Sequence, residues 1–133
     1  MTSSVFWSDL LEDLADPEFL RTYVLESVRI TTIDSLVNEL DDLREAEGLS
    51  KAALARAIGS NPATVRRLFS SADASPTVGT LAEVAAALGM KLVLAPLDDQ
   101  DRADVTEPLR SGAGDRERIA RRGTARRTRP ALI

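Results

Sequence analysis

Between residues 48 and 89 the chain is cut into short, regularly punctuated pieces, and this limits the fold more than any other feature. Gly48, Gly59 and Gly89 each follow a run with apolar residues three or four apart, where a glycine ends a helix in the left-handed conformation. Ser50, Asn61-Pro62 and Thr77 stand where the next helices must start, as side-chain caps or as a proline in the first turn. The spacing predicts a helix opening at Ser50 with Leu54 and Ile58 inward. A second restarts at Asn61-Pro62 with Val65 and Leu68 inward, and a third opens at Thr77 with Val78, Leu81, Ala85 and Leu88 inward. Helices this short are marginal alone in water and form only by packing on one another.

The flanking segments extend the helical pattern. Asp16-Pro17-Glu18 is a start signal, because Asp16 can cap, Pro17 suits the first position and Glu18 complements the positive helix end. The helix it opens is expected to run to about Ile30, preceded by a short one over Ser8 to Leu14 with Trp7 beside it. Thr31 and Thr32 offer a second cap, after which Ile33, Leu36, Val37, Leu40 and Leu43 line one face. Lys91, Leu92, Val93, Leu94 and Ala95 read as a short strand ended by Pro96. Beyond Leu97 the apolar periodicity fails, and the remainder is expected to be disordered. Three regions result: a helical extension over 1–31, a compact domain with its strand over 32–97, and an Arg-rich tail over 98–133. The fold class is all-α, a small helical bundle plus that one strand.

Composition decides what such a bundle can do. The 133 residues contain no histidine and no cysteine, which removes Ser-His-Asp triads, thiolate nucleophiles and the usual zinc ligands. Ser50 and Lys51 are neighbours at a helix start and do not face each other as nucleophile and base. Asp98-Asp99-Gln100-Asp101 lacks the glycine and spacing of a calcium loop. Binding is therefore expected rather than catalysis, with no cofactor and no metal. No apolar run reaches the roughly 18–20 residues needed to cross a bilayer, and no basic-then-apolar leader is evident, so the expected location is the cytoplasm.

The net charge of −4 conceals a division. Residues 1–48 carry twelve acidic and three basic side chains, residues 49–97 two and five, and residues 98–133 seven and nine. A −9 front suits a basic partner, and a positive centre suits a polyanion. Within that centre, Ala52, Ala53, Ala55 and Ala57 let a second helix approach closely, and Gly59 makes the turn between the two. This is the helix-turn-helix arrangement. It turns Ala63, Thr64, Arg66 and Arg67 outward, where arginine can grip guanine bidentately and a methyl group can meet thymine. Ser50, Lys51 and Asn61, at the two helix starts, are natural phosphate seats.

Leu43 to Leu94 resembles the Cro/C1-type (Xre) helix-turn-helix family of bacterial and phage regulators. The matching residues are Leu43-Arg44, Gly48-Leu49-Ser50, Leu54-Ala55, Ile58-Gly59 and Thr64-Val65, followed by Pro76, Thr80-Leu81, Val84-Ala85 and Leu88-Gly89. The resemblance implies a lambda-repressor-like bundle whose second paired helix reads double-stranded DNA. It departs at Lys51 and Ala52, where Gln or Glu is frequent, at Phe69, where a charged residue is common, and in the serine-rich loop from Ser70.

Asp16-Pro17-Glu18-Phe19 and the Gly89 to Leu94 ending also look like HigA-type antitoxins of toxin–antitoxin pairs. That likeness implies a homodimer that autorepresses its operon and neutralises a basic, RelE-like toxin. A lone strand has no partner in cis, so the 91–95 strand is expected to pair with its copy and place two reading helices about 34 Å apart on a palindromic operator. The alternative is a stand-alone or phage-type repressor with no toxin partner, which shares every DNA-facing residue.

Overall fold

A computed structural model describes residues 2–70 and 75–128. Its described elements are α1 (Thr2–Asp13), α2 (Pro17–Ala46), α3 (Lys51–Ala57), α4 (Pro62–Ser70) and α5 (Val78–Ala87), then α6 (Asp99–Asp101), a π-helical turn (Arg102–Thr106), α7 (Glu107–Ser111) and α8 (Arg116–Thr128). Contacts divide the chain into two compact units, one formed by Met1–Thr31 with Pro96–Ile133 and the other by Thr32–Ala95. Most of the loop expected at Ser70 to Pro76, and the terminal Arg129, fall outside the described residues.

The 32–95 unit is built by one device used three times. After α2, α3 and α5 the chain enters a glycine at positive φ, and the following N–H reaches back five residues. Leu49 N bonds Arg44 O at 3.1 Å, Ser60 N bonds Ala55 O at 2.8 Å, and Met90 N bonds Ala85 O at 2.8 Å. These are Schellman ends, which satisfy carbonyls that the helices leave unpaired. The starts are capped as reliably. Ser50 Oγ accepts from Ala53 N at 3.0 Å, Asn61 Oδ1 from Ala63 N at 2.7 Å, and Thr77 Oγ1 from Thr80 N at 3.1 Å. The helices so delimited close over one core of Val37, Leu40, Leu54, Ala55, Val65, Leu68, Leu81, Val84, Ala85 and Leu88.

The expected break at Thr31-Thr32 does not occur, and α2 runs through both threonines. Neither glycine nor proline interrupts it, and mid-helix threonine costs only tenths of a kcal/mol, roughly 0.5, which packing offsets. The strand expected over Lys91–Ala95 is likewise not formed, and among the described residues there is no strand at all. Strand pairing needs a second segment, and the described residues supply none beside it. Leu92 turns in against the core while Val93 and Leu94 stand exposed.

The largest correction concerns the tail. Residues 99–111 and 116–128 are helical rather than disordered, and with 1–31 they make a second core of Leu10, Leu14, Leu20, Val24, Ile119 and Ala120. Polar contacts tie the segments together: Tyr23 Oη donates to Ala120 O at 2.9 Å, Arg21 Nε to Leu109 O at 3.0 Å, and Arg116 Nη1 to Leu11 O at 3.2 Å. The π-helical turn has a local cause. Pro108 has no N–H for Asp104 O and its ring crowds that carbonyl, so the preceding turn widens, with Glu107 N–H reaching Arg102 O.

Two arginines expected in a free tail are occupied within this unit. Asp104, almost wholly buried, accepts from Arg118 Nε at 3.1 Å, Arg122 Nε at 3.0 Å and Gln100 Nε2 at 3.1 Å, and Arg122 also pairs with Asp101. Burial pushes the Asp104 carboxyl up, but the hydrogen bonds from Arg118, Arg122 and Gln100 outweigh it and hold it below its ordinary value. A depressed carboxylate contributes stability that is present above its unfolded pKa and lost as pH falls through its folded one. Acidification below about pH 4 is therefore expected to loosen this unit. Trp7, the sole tryptophan, packs against the same core and reports the change by fluorescence. Asp104→Asn should be less stable at neutral pH and show a shallower acid response; an identical acid response would exclude Asp104 as the cause.

Candidate nucleic-acid interface

Each residue singled out at the two helix starts has a definite place. Ser50 caps α3 with its hydroxyl, so what it offers outward is the helix start rather than a free side chain. Lys51 is half-buried in the first turn. Asn61 is exposed, its side chain holding Ala63 N and its carbonyl taking Thr64 N at 3.0 Å and Val65 N at 3.3 Å. The corner from α3 to α4 is thereby hydrogen-bonded on both sides of Gly59. Gly59 itself lies at φ 64°, a conformation that disfavours any residue with a Cβ.

The polarity of α4 follows from its sequence at a period of 3.6. Val65 and Leu68 are buried in the core, and Ala63, Thr64, Arg66 and Arg67 are all exposed. The helix is held from one side and presents two methyl-bearing and two guanidinium side chains on the other. Among the described residues neither Arg66 nor Arg67 makes an ion pair, so both keep their donors for a ligand. Beside α4 lies a groove of about 500 Å³, walled by Thr64 and Arg67 on one side and by Ser60, Thr77 and Thr80 on others. The hydroxyls of Ser60 and Thr80 were not among the residues expected here. Hydroxyl residues clustered around an anticipated turn are the signal that could have indicated them.

The surroundings of Arg44 were not legible in the sequence either. The sequence marks it only as part of the Leu43-Arg44 pair, yet its guanidinium is largely buried and lies over the Phe69 ring, 5.9 Å from the centroid. Phe69, where the related pattern often has a charge, here offers a π face to a cation. Among the described residues no group of acidic side chains could hold a metal ion. No helix of the described residues is long and apolar enough to cross a membrane.

Two short helices at a glycine corner, the second anchored by its apolar face and offering unpaired arginines outward, define a DNA-binding helix-turn-helix protein. Residues 40–94 match the model of the helix-turn-helix family. That stretch is of the Cro/C1 (Xre) type, and the chain carrying it is a sequence-specific DNA-binding transcription regulator. The match covers less than half of the chain and leaves out the whole Met1–Thr31 and Pro96–Ile133 unit. Neither a curated protein nor a solved structure gives a match.

Proposed function

We propose that this chain is a dimeric repressor that reads a palindromic operator with Ala63, Thr64, Arg66 and Arg67 of α4. Ser50, Lys51 and Asn61 face the flanking phosphates. The observation that carries this reading is the two-sidedness of α4, with Val65 and Leu68 buried and the four readers exposed. Phosphate contacts set register and orientation, while arginine, threonine and alanine supply base readout in the major groove. The dimer seam lies at residues 90–94. There Val93 is 72% exposed, Leu94 is fully exposed and Met90 is 44% exposed, a cluster of apolar side chains that a second copy would cover.

Selection of duplexes from a random pool tests both parts. The expected product is an inverted repeat with half-sites about one turn, roughly 34 Å, apart. An unrepeated site would defeat the dimer while leaving the α4 reading intact, and an unenriched pool would defeat both.

A second reading adds a toxin partner. On it, the chain is an antitoxin that neutralises a basic, RelE-like toxin and autorepresses its operon. Phe6, 51% exposed, and Phe19, 38% exposed, both lie in the acidic 1–31 segment, and aromatics at a surface are preferred anchors for a protein partner. Charge supports this less than the −9 front suggests. Residues 1–31 share their unit with the C-terminal arginines, and the unit as a whole carries thirteen acidic and eleven basic residues. Under this reading Phe6→Ser with Phe19→Ser should release the basic product of a neighbouring gene on co-expression without changing operator binding. Undiminished co-purification would move the toxin surface elsewhere.

A further inference from the structure

The Arg44 side chain touches three parts of the helix-turn-helix unit at once. Its Nε donates to Asp41 Oδ1 at 2.8 Å, on the last turns of α2. Its Nη1 donates to Leu49 O at 2.8 Å, the carbonyl just before the Ser50 cap of α3. Its planar face lies over Phe69, on the last turn of α4, while Nη2 stands 3.6 Å from Glu45 Oε1. The side chain is only 12% exposed, and Phe69 packs in turn on the core. One rigid, planar cation thus joins the end of α2, the start of α3 and the end of the reading helix.

We propose that Arg44 is a positioning residue for DNA reading, which sets the placement of α4 relative to the α3 start through Leu49 and Phe69. This rests on the proposed role of α4. Bidentate base contacts tolerate only about half an ångström and 10–20° of misplacement, so a helix held at its far end by a stacked guanidinium reads more selectively than one free to roll. Lysine cannot replace the group. It keeps the charge, but a single ammonium has neither the planar face for Phe69 nor the fork that serves Asp41 and Leu49 together. Arg44 has its charge opposed by Asp41 and Glu45, so it acts through α3 and α4 rather than on a phosphate.

The test uses the full chain, the duplex that the wild-type chain selects, and a scrambled duplex of the same length. Arg44→Lys, Phe69→Leu and the double variant are compared at salt from about 50 to about 300 mM, with the folded fraction measured by circular dichroism at the assay temperature. Each single variant is expected to weaken binding to the selected duplex about tenfold, leave the scrambled duplex unaffected, and keep the salt slope. The double variant should lose no more than the worse single one, because the two side chains form one unit.

Three results would overturn the proposal: an unchanged ratio of selected to scrambled affinity in folded variants, a salt slope smaller by about 0.9, which would make Arg44 itself a phosphate contact, or a loss equal to the unfolded fraction. Phe69→Leu keeps an apolar side chain in the core, so the question stays answerable if Arg44→Lys folds poorly. A wild-type chain that selects no duplex ends the α4 reading first, at a step separate from these comparisons.

Discussion

Alanine at both Arg66 and Arg67 is expected to abolish discrimination between the selected duplex and any other, while leaving the protein folded. Each arginine that grips guanine bidentately contributes about 1–3 kcal/mol, so the pair is worth at least about thirtyfold in affinity when both read bases, and at least about fivefold when one does. The single variants separate their roles. A base-reading arginine costs preference at one position of the site when removed, whereas a phosphate-binding one weakens all duplexes alike and lowers the salt slope by about 0.9. Stability should change by less than about 0.5 kcal/mol, since both side chains are exposed and neither has an ion-pair partner among the described residues. The measurement is fluorescence anisotropy at about 150 mM salt, where non-specific attraction is already screened. Binding by the double variant within about threefold of wild type would remove α4 as the reading helix.

What could be read from the sequence was the part governed by local rules. Gly48, Gly59 and Gly89 end helices because positive φ is a property of one residue, and Ser50, Asn61 and Thr77 cap because an oxygen two or three residues from an N–H needs no tertiary help. Outward and inward faces of α4 follow from helical period once its ends are known. What could not be read depended on distant contacts. Residues 98–128 have few apolar side chains and many charges, so composition argues for disorder, yet Ile119 and Ala120 are buried against Leu10, Leu14, Leu20 and Val24. The arginines of that expected disordered tail include the partners that make a buried Asp104 tolerable. A buried carboxylate without them would be strongly unfavourable, so the charges at 104, 118 and 122 are explained only together.

The same division shifts the meaning of charge. By position along the chain, the acidic residues 1–48 and the basic centre at 49–97 suggested two charged partners, with the Arg-rich segment after 115 as a separate tail. In the fold, residues 1–31 and 96–133 belong to one unit, whose thirteen acidic and eleven basic residues nearly balance. On the toxin reading proposed above, recognition by this unit would rest on exposed side chains such as Phe6 and Phe19 more than on net charge.

Gly123→Ala distinguishes the local reading from the tertiary one by the sign of its effect. Gly123 lies inside α8, and by helix propensity alone alanine there would stabilise by about 1 kcal/mol. The structure demands the opposite. A Cβ at Gly123 would run into Tyr23 Oη and Cζ, where no relaxation short of moving the ring is possible. Tyr23 is not free to move without loss, because its hydroxyl bonds Ala120 O at 2.9 Å and its ring stacks on Phe19 at 6.3 Å between centroids. Overpacking of this kind costs about 1–3 kcal/mol, more than the propensity gain at the upper end, so net destabilisation of this unit is expected. Trp7 emission during urea unfolding measures it, since a global signal would mix the two units. Tyr23→Ala removes the obstructing ring, and in that background Gly123→Ala should become neutral or stabilising. Tyr23→Phe should not restore stability, because the clash involves Cζ and Cε1 as well as the hydroxyl. A stabilised Gly123→Ala protein with Tyr23 intact would mean that α8 does not pack on Tyr23 in solution, and the C-terminal segment would then return to the solvated tail that its composition suggests.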